Sequence, residues 1–66
     1  SKLEKVQLAL RHAAWLIESK GTEKAMLEIR KHLNSYFKGE PIGREMRRAL
    51  VTVTSLNEIE ALLAQI

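Results

Sequence analysis

The sequence predicts an all-α fold, a small antiparallel four-helix bundle formed by residues 1–66 as a single domain. Three observations predict it. Apolar residues recur at three- and four-residue intervals, with no sustained strand-like alternation. Helix-stopping residues fall at Gly21, Gly39 and Pro41. A serine three residues before a glutamate, Ser55 and Glu58, opens the last apolar run as a capping box. A chain of 66 residues buries only about 60% of its unfolded surface, so the core is modest.

The first helix is expected from about Leu3 to Ser19. Leu3, Val6, Leu10, Ala14 and Ile17 form its main stripe, and Gly21 ends it. Thr22 caps a second helix from Glu23 to about Lys38, whose inner face is Ala25, Met26, Ile29, Leu33, Tyr36 and Phe37. Gly39 stops that helix and Pro41 prevents its continuation. A third helix starts between Ile42 and Arg44 and runs to about Val53, burying Met46, Ala49, Leu50 and Val53. The Val51-Thr52-Val53-Thr54 run favours strand by propensity, but no partner strand exists in the chain, so it reads as a helix end. After Ser55, the residues Ile59, Leu62, Leu63 and Ile66 repeat at helical spacing.

Composition removes several functional classes. With no cysteine there are no disulfides and no thiolate metal site, which suits a small intracellular module. No apolar run approaches the ~20 residues of a membrane span. The chain lacks an initiator methionine and so reads as a piece of something longer. No Ser-His-acid arrangement, cysteine nucleophile or glycine-rich phosphate cradle is present, and Glu40 and Glu45 merely flank a turn. Taken alone, the chain is not expected to be an enzyme.

Charge is uneven. Residues 1–19 carry +1, residues 20–48 carry +4 and residues 49–66 carry −2. The middle is therefore the candidate contact surface. Lys24, Lys31 and Lys38 are spaced by seven and line one side of the second helix; Arg44 and Arg48 are four apart on the third, with Arg47 at the rim. Cations so placed can neutralise phosphates and release counterions, and arginine adds a planar fork for phosphate oxygens. Charge alone also fits an ordinary solvated helix surface. A second apolar face on the first helix, Leu8, His12, Trp15 and Leu16, has two readings. A helix touching two neighbours needs a wide apolar arc; alternatively the face docks on another domain or on a second copy. His12 and His32 lie on different helices, and nothing in their spacing makes them converge with a glutamate, so no metal site is expected.

From Arg11-His12 through Leu63 the chain resembles the C-terminal helical domain of bacterial tRNA-dihydrouridine synthases. The likeness is carried by Arg30-Lys31-His32, Tyr36, Lys38-Gly39, Pro41, Met46-Arg47 in place of the family's Leu-Arg pair, and Glu58-Ile59-Glu60-Ala61-Leu62-Leu63. Ser55-Leu56-Asn57 departs from the common Asp-Pro-acid cap. The resemblance implies a larger flavoenzyme whose N-terminal α/β barrel binds FMN and reduces a tRNA uridine with NADPH, a barrel cysteine donating the proton. On that likeness these residues would hold tRNA, do no chemistry, carry no cofactor of their own, and work in the cytoplasm beside the barrel. It implies Arg30, Lys31, His32, Lys38 and Arg47 as tRNA-contacting or site-shaping residues, whereas Lys24, Arg44 and Arg48 rest on charge alone. Tyr36 matches the family's aromatic position, but its spacing points it toward the core.

Two other readings stay open: a protein-interaction or dimerisation module using Leu8, Trp15 and Leu16, and a small DNA-binding helix-turn-helix protein built on the Lys38–Gly43 turn. The latter lacks an asparagine or glutamine reader beside Arg44, Arg47 and Arg48.

Overall fold

The computed structural model describes residues 1–66 and contains four helices and no strand: α1 (Lys2–Lys20), α2 (Thr22–Tyr36), α3 (Arg44–Leu50) and α4 (Leu56–Leu63). Chain neighbours pack on one another, and α1 also packs on α4, which closes the bundle. Side-chain pairs between α1 and α2 run in opposite directions, Lys20 with Glu28 and His12 with Tyr36, as an antiparallel hairpin requires.

One residue joins those two helices. Gly21 has φ 86° and ψ 161°, a region essentially closed to residues with a Cβ. Its N–H donates to the Ile17 carbonyl at 2.8 Å and its carbonyl accepts from the Ala25 N–H at 3.0 Å. Gly21 thus ends α1 and begins α2, so Thr22 is the first helical residue rather than the expected side-chain cap. At the other end of α1, Ser1 Oγ accepts from the Glu4 N–H at 3.3 Å, which starts the helix at Lys2.

The core differs most from expectation along α1. Its fully buried residues are Ala9, Ala13 and Leu16. Val6, Leu10 and Ile17 are half-buried, and Leu3 and Ala14 are exposed. The buried line is the seam between the two apolar stripes, because α1 faces α2 on one side and α4 on the other. Alanines occupy that seam since small side chains let two helices approach. The expected α2 face is largely observed: Ala25, Met26, Ile29, Leu33 and Phe37 are buried, with Tyr36 half-buried. Leu50, Val53, Ile59 and Leu63 complete the core, and no polar side chain is buried.

Two helices are shorter than expected. α2 stops at Tyr36, and Phe37 leaves helical geometry at φ −106° and ψ 15° while its ring stays buried. α3 stops at Leu50, where Thr52 Oγ1 donates to the Arg48 and Ala49 carbonyls at 3.2 and 3.1 Å. A threonine hydroxyl that serves freed carbonyls competes with continuation of the helix, and Val53 follows as a buried residue outside it. At α4, Ser55 Oγ accepts from the Glu58 N–H at 3.1 Å as expected. The return bond is shifted by one: Glu58 Oε1 accepts from the Thr54 N–H at 2.6 Å, not from Ser55.

Candidate functional site

The long α1–α2 hairpin carries the basic surface along its groove. Lys24 and Lys31 are exposed on α2 and share one concavity with Lys20, Leu27 and Glu28. Farther along, Lys38 and His32 line a second with Lys5, Ser35 and Tyr36. Lys24 and Lys38 are fourteen positions apart, and the helical part of that span rises about 1.5 Å per residue, so the cations form a stripe rather than a point. Arg44 and Arg48 are exposed on α3 and line neither concavity.

Arg30 and Arg47 are half-buried and hold the backbone. Arg30 Nε donates to the Val53 carbonyl at 2.9 Å, which ties α2 to the stretch before α4. Arg47 Nη2 donates to the Glu40 carbonyl at 2.6 Å, which braces the α2–α3 connection. Glu40 is a hub there: its carbonyl also accepts from the Ile42 N–H at 2.9 Å, and its carboxylate takes Lys5 Nζ at 2.6 Å. That hydrogen bond from Lys5 holds the Glu40 carboxyl below its ordinary value.

Between the two basic concavities the histidines meet. Their ring centroids are 4.4 Å apart. Tyr36 Oη lies 3.3 Å from His12 Nδ1, and Glu28 Oε2 lies 4.0 Å from His32 Nε2. Burial, and then the neighbouring His32, push the His12 pKa below its ordinary value, with Glu28 opposing. Lys20 Nζ bonds Glu28 Oε1 at 2.6 Å and lowers the Glu28 pKa. The expectation that no glutamate converges with the two histidines is therefore corrected: Glu28 and His32 are four apart on α2, and the hairpin register brings His12 of α1 to them.

The second α1 face also divides. Leu16 is fully buried, and His12 is half-buried against α2; neither belongs to an outward surface. Leu8 and Trp15 remain, seven residues apart and 52% and 61% exposed. The wide-arc reading thus accounts for His12 and Leu16, whereas Leu8 and Trp15 stay on the open surface of this chain.

The family model described as "Dihydrouridine synthase (Dus)" matches residues 1–66. The chain belongs to the dihydrouridine synthase family. A protein of Mycobacterium leprae (strain TN) named "Probable tRNA-dihydrouridine synthase" is 40% identical over 60 residues, covering 91% of this chain and 16% of that protein. Two Mycobacterium tuberculosis proteins of the same name, from strains CDC 1551 / Oshkosh and ATCC 25618 / H37Rv, are each 38% identical over 60 residues, covering 91% of this chain and 15% of theirs. The chain thus spans about a sixth of the length of the curated relatives it matches. No solved structure matches it.

Lys5, Lys20 and Glu28 were not singled out from the sequence as site residues. Glu28 and His32 could have been paired by their four-residue spacing. Lys5 and Lys20 sit on α1, and only the hairpin register brings them beside α2. No helix is long and apolar enough to cross a membrane.

Proposed function

We propose that these 66 residues are the C-terminal, tRNA-binding helical domain of a tRNA-dihydrouridine synthase. The observation that carries this reading is the exposed lysine stripe of Lys24 and Lys31 on α2 and Lys38 in the turn that follows it, in a family whose relatives are named for tRNA. Ammonium groups along the α1–α2 groove pair with ribose-phosphate oxygens and release counterions as they do so. Contacts of that kind follow backbone and shape rather than base edges, and Tyr36 and His32 are the only aromatic rings lining either basic concavity. His32 stands at the edge of the stripe, and Arg44 and Arg48 extend the positive surface onto α3. Arg30 and Arg47 shape the site through the backbone they hold.

The chemistry lies elsewhere in the enzyme on this reading. The residues present do not fit FMN or NADPH, because Gly21, Gly39 and Gly43 sit at exposed turns between helices and form no phosphate cradle. Both cofactors, the reduction of uridine and its proton donor belong to a barrel elsewhere in the same polypeptide, against which Leu8 and Trp15 pack. The tRNA substrate makes the setting cytoplasmic. A helix-turn-helix is less well supported, because α3 has only 7 residues and Arg47 is already engaged with Glu40.

The test is a titration of labelled tRNA at low and moderate salt with the wild-type chain and a K31E/K38E variant. Expected are weak binding, a log–log salt slope of about −2 to −3 for three lysine contacts, and loss of binding in the variant with its helicity unchanged. Salt-insensitive binding, or none at low salt, removes the reading. The runner-up, an interaction module working through Leu8 and Trp15 alone, predicts self-association that a W15S variant abolishes and tRNA does not affect.

A further inference from the structure

His12 of α1 and His32 of α2 turn their rings to one another, and Glu28 reaches the same spot from one turn earlier on α2. One ring nitrogen from each histidine and one Glu28 oxygen lie within 4.8 Å of one another. We propose that His12, Glu28 and His32 form a binding site for a divalent transition-metal ion of the zinc type, which clamps α1 to α2 at the middle of the hairpin groove.

The ligand chemistry fits such an ion. Two imidazoles and one carboxylate are a set zinc accepts with a fourth position left to water, whereas magnesium and calcium prefer oxygen donors. Zinc bonds of about 2.0–2.1 Å in a tetrahedron place ligand atoms about 3.4 Å apart. The three donors must therefore draw in by about 1.4 Å at most, which side-chain torsions supply without moving a helix. Each element contributes in register: Glu28 and His32 by their spacing on α2, His12 from the opposite strand of the hairpin.

The surroundings orient the ligands. Lys20 occupies Glu28 Oε1 at 2.6 Å, which leaves Oε2 as the oxygen nearer His32. Tyr36 holds the His12 ring at Nδ1. Contacts of this type to the ligands fix ring and carboxylate orientation in metal sites. Burial also favours the neutral His12 ring, the form that offers a lone pair. Lys20 acts in both directions, since its positive charge beside the carboxylate weakens attraction for a cation. The structure therefore assigns a site of moderate affinity, filled by one Glu28 oxygen rather than two. In a chain without cysteine, a bridge between two helices is a staple that no disulfide can provide.

The experiment uses the 66-residue chain without a histidine tag and zinc chloride as the probe. Zinc at ten times its Kd should raise the Tm by about 5–10 °C. In NMR, both imidazoles should shift together and saturate at one equivalent. H12Q and H32Q should each abolish the rise in Tm, and E28Q should weaken binding at least about tenfold. Cobalt substituted for zinc should give visible absorption of a low-coordinate ion in the wild type and not in H32Q. The proposal is overturned if millimolar zinc leaves both imidazoles and the Tm unmoved, or if the rise persists in the H12Q/H32Q double variant. If H12Q fails to fold, the wild-type imidazole titration and E28Q decide: one histidine responding without the other, or unchanged affinity in E28Q, also overturns it.

Discussion

Arg47 Nη2 donates to the carbonyl of Glu40 at 2.6 Å, so an arginine in the run Lys38-Gly39-Glu40-Pro41…Arg47 is spent on holding that run in place. Lys5 takes the carboxylate of the same glutamate. The connection between α2 and α3 is thereby fixed to α1 and α3 at once. Replacing Arg47 with lysine keeps the charge and loses the planar fork. The expected result is a loss of about 1–2 kcal/mol of stability, read by urea denaturation, while tRNA affinity of the folded protein is unchanged. A fall in affinity with unchanged stability would instead make Arg47 a direct phosphate contact.

How much of this was legible depended on whether the deciding neighbour lay close in sequence. The four helices, the stops near Gly21 and Gly39 and the Ser55 cap were readable, because caps and periodicity are local. Ala9 and Ala13 were missed as the centre of α1's buried face, since alanine carries little weight in a pattern search and its role is set by α2 and α4 approaching together. Leu16 could not be assigned between a buried arc and an outward face for the same reason. The hydrogen bonds of Arg30 and Arg47 were not legible, because their acceptors are main-chain carbonyls, which sequence does not reveal. The His12–Glu28–His32 meeting required the register of a hairpin whose joint is one glycine.

That joint gives a second prediction. A Cβ at Gly21 would meet nothing within 4 Å, so G21A introduces no clash. The cost is in the backbone alone, at φ 86° and ψ 161°, and is expected at about 1–3 kcal/mol. Gly43 has nearly the same geometry, φ 85° and ψ 158°, at the start of α3, and G43A should cost a similar amount. Thermal unfolding should show a Tm lower by about 4–8 °C for each kcal/mol. Full retention of Tm in G21A would mean the α1–α2 joint adopts another conformation.

Stability should respond to pH in two separate windows. Folding lowers the His12 pKa from 6.5, so the unfolded chain binds that proton more readily. The stabilising contribution is complete above 6.5 and is lost as the pH falls through the lower folded value. His32, Glu28 and Tyr36 face this ring from α2. Glu28 and Glu40 are lowered from 4.5 by hydrogen bonds from Lys20 and Lys5, so their contribution is present above 4.5 and lost below it. Denaturation midpoints measured across this range in metal-free buffer should decline first below pH 6.5 and again below 4.5. H12Q should remove the first decline and leave the second, and persistence of the first in H12Q assigns it to another group.

Ala13 and Trp15 are two residues apart on α1 and should behave oppositely. Ala13 is fully buried in the seam against the neighbouring helices, so A13L forces extra volume into a packed contact and should cost about 1–3 kcal/mol. Trp15 is 61% exposed, and W15S should change the stability of this chain by no more than about 0.5 kcal/mol. If these residues belong to a larger enzyme as proposed, the proposed seat of Trp15 against a barrel reverses that expectation: W15S should lower the Tm of the whole protein, or loosen these helices to limited proteolysis, while tRNA affinity of the isolated 66 residues stays constant. Equal stability of wild type and W15S in both settings would show that the Leu8–Trp15 face contacts nothing in the enzyme, and would leave the lysine groove as its only working surface.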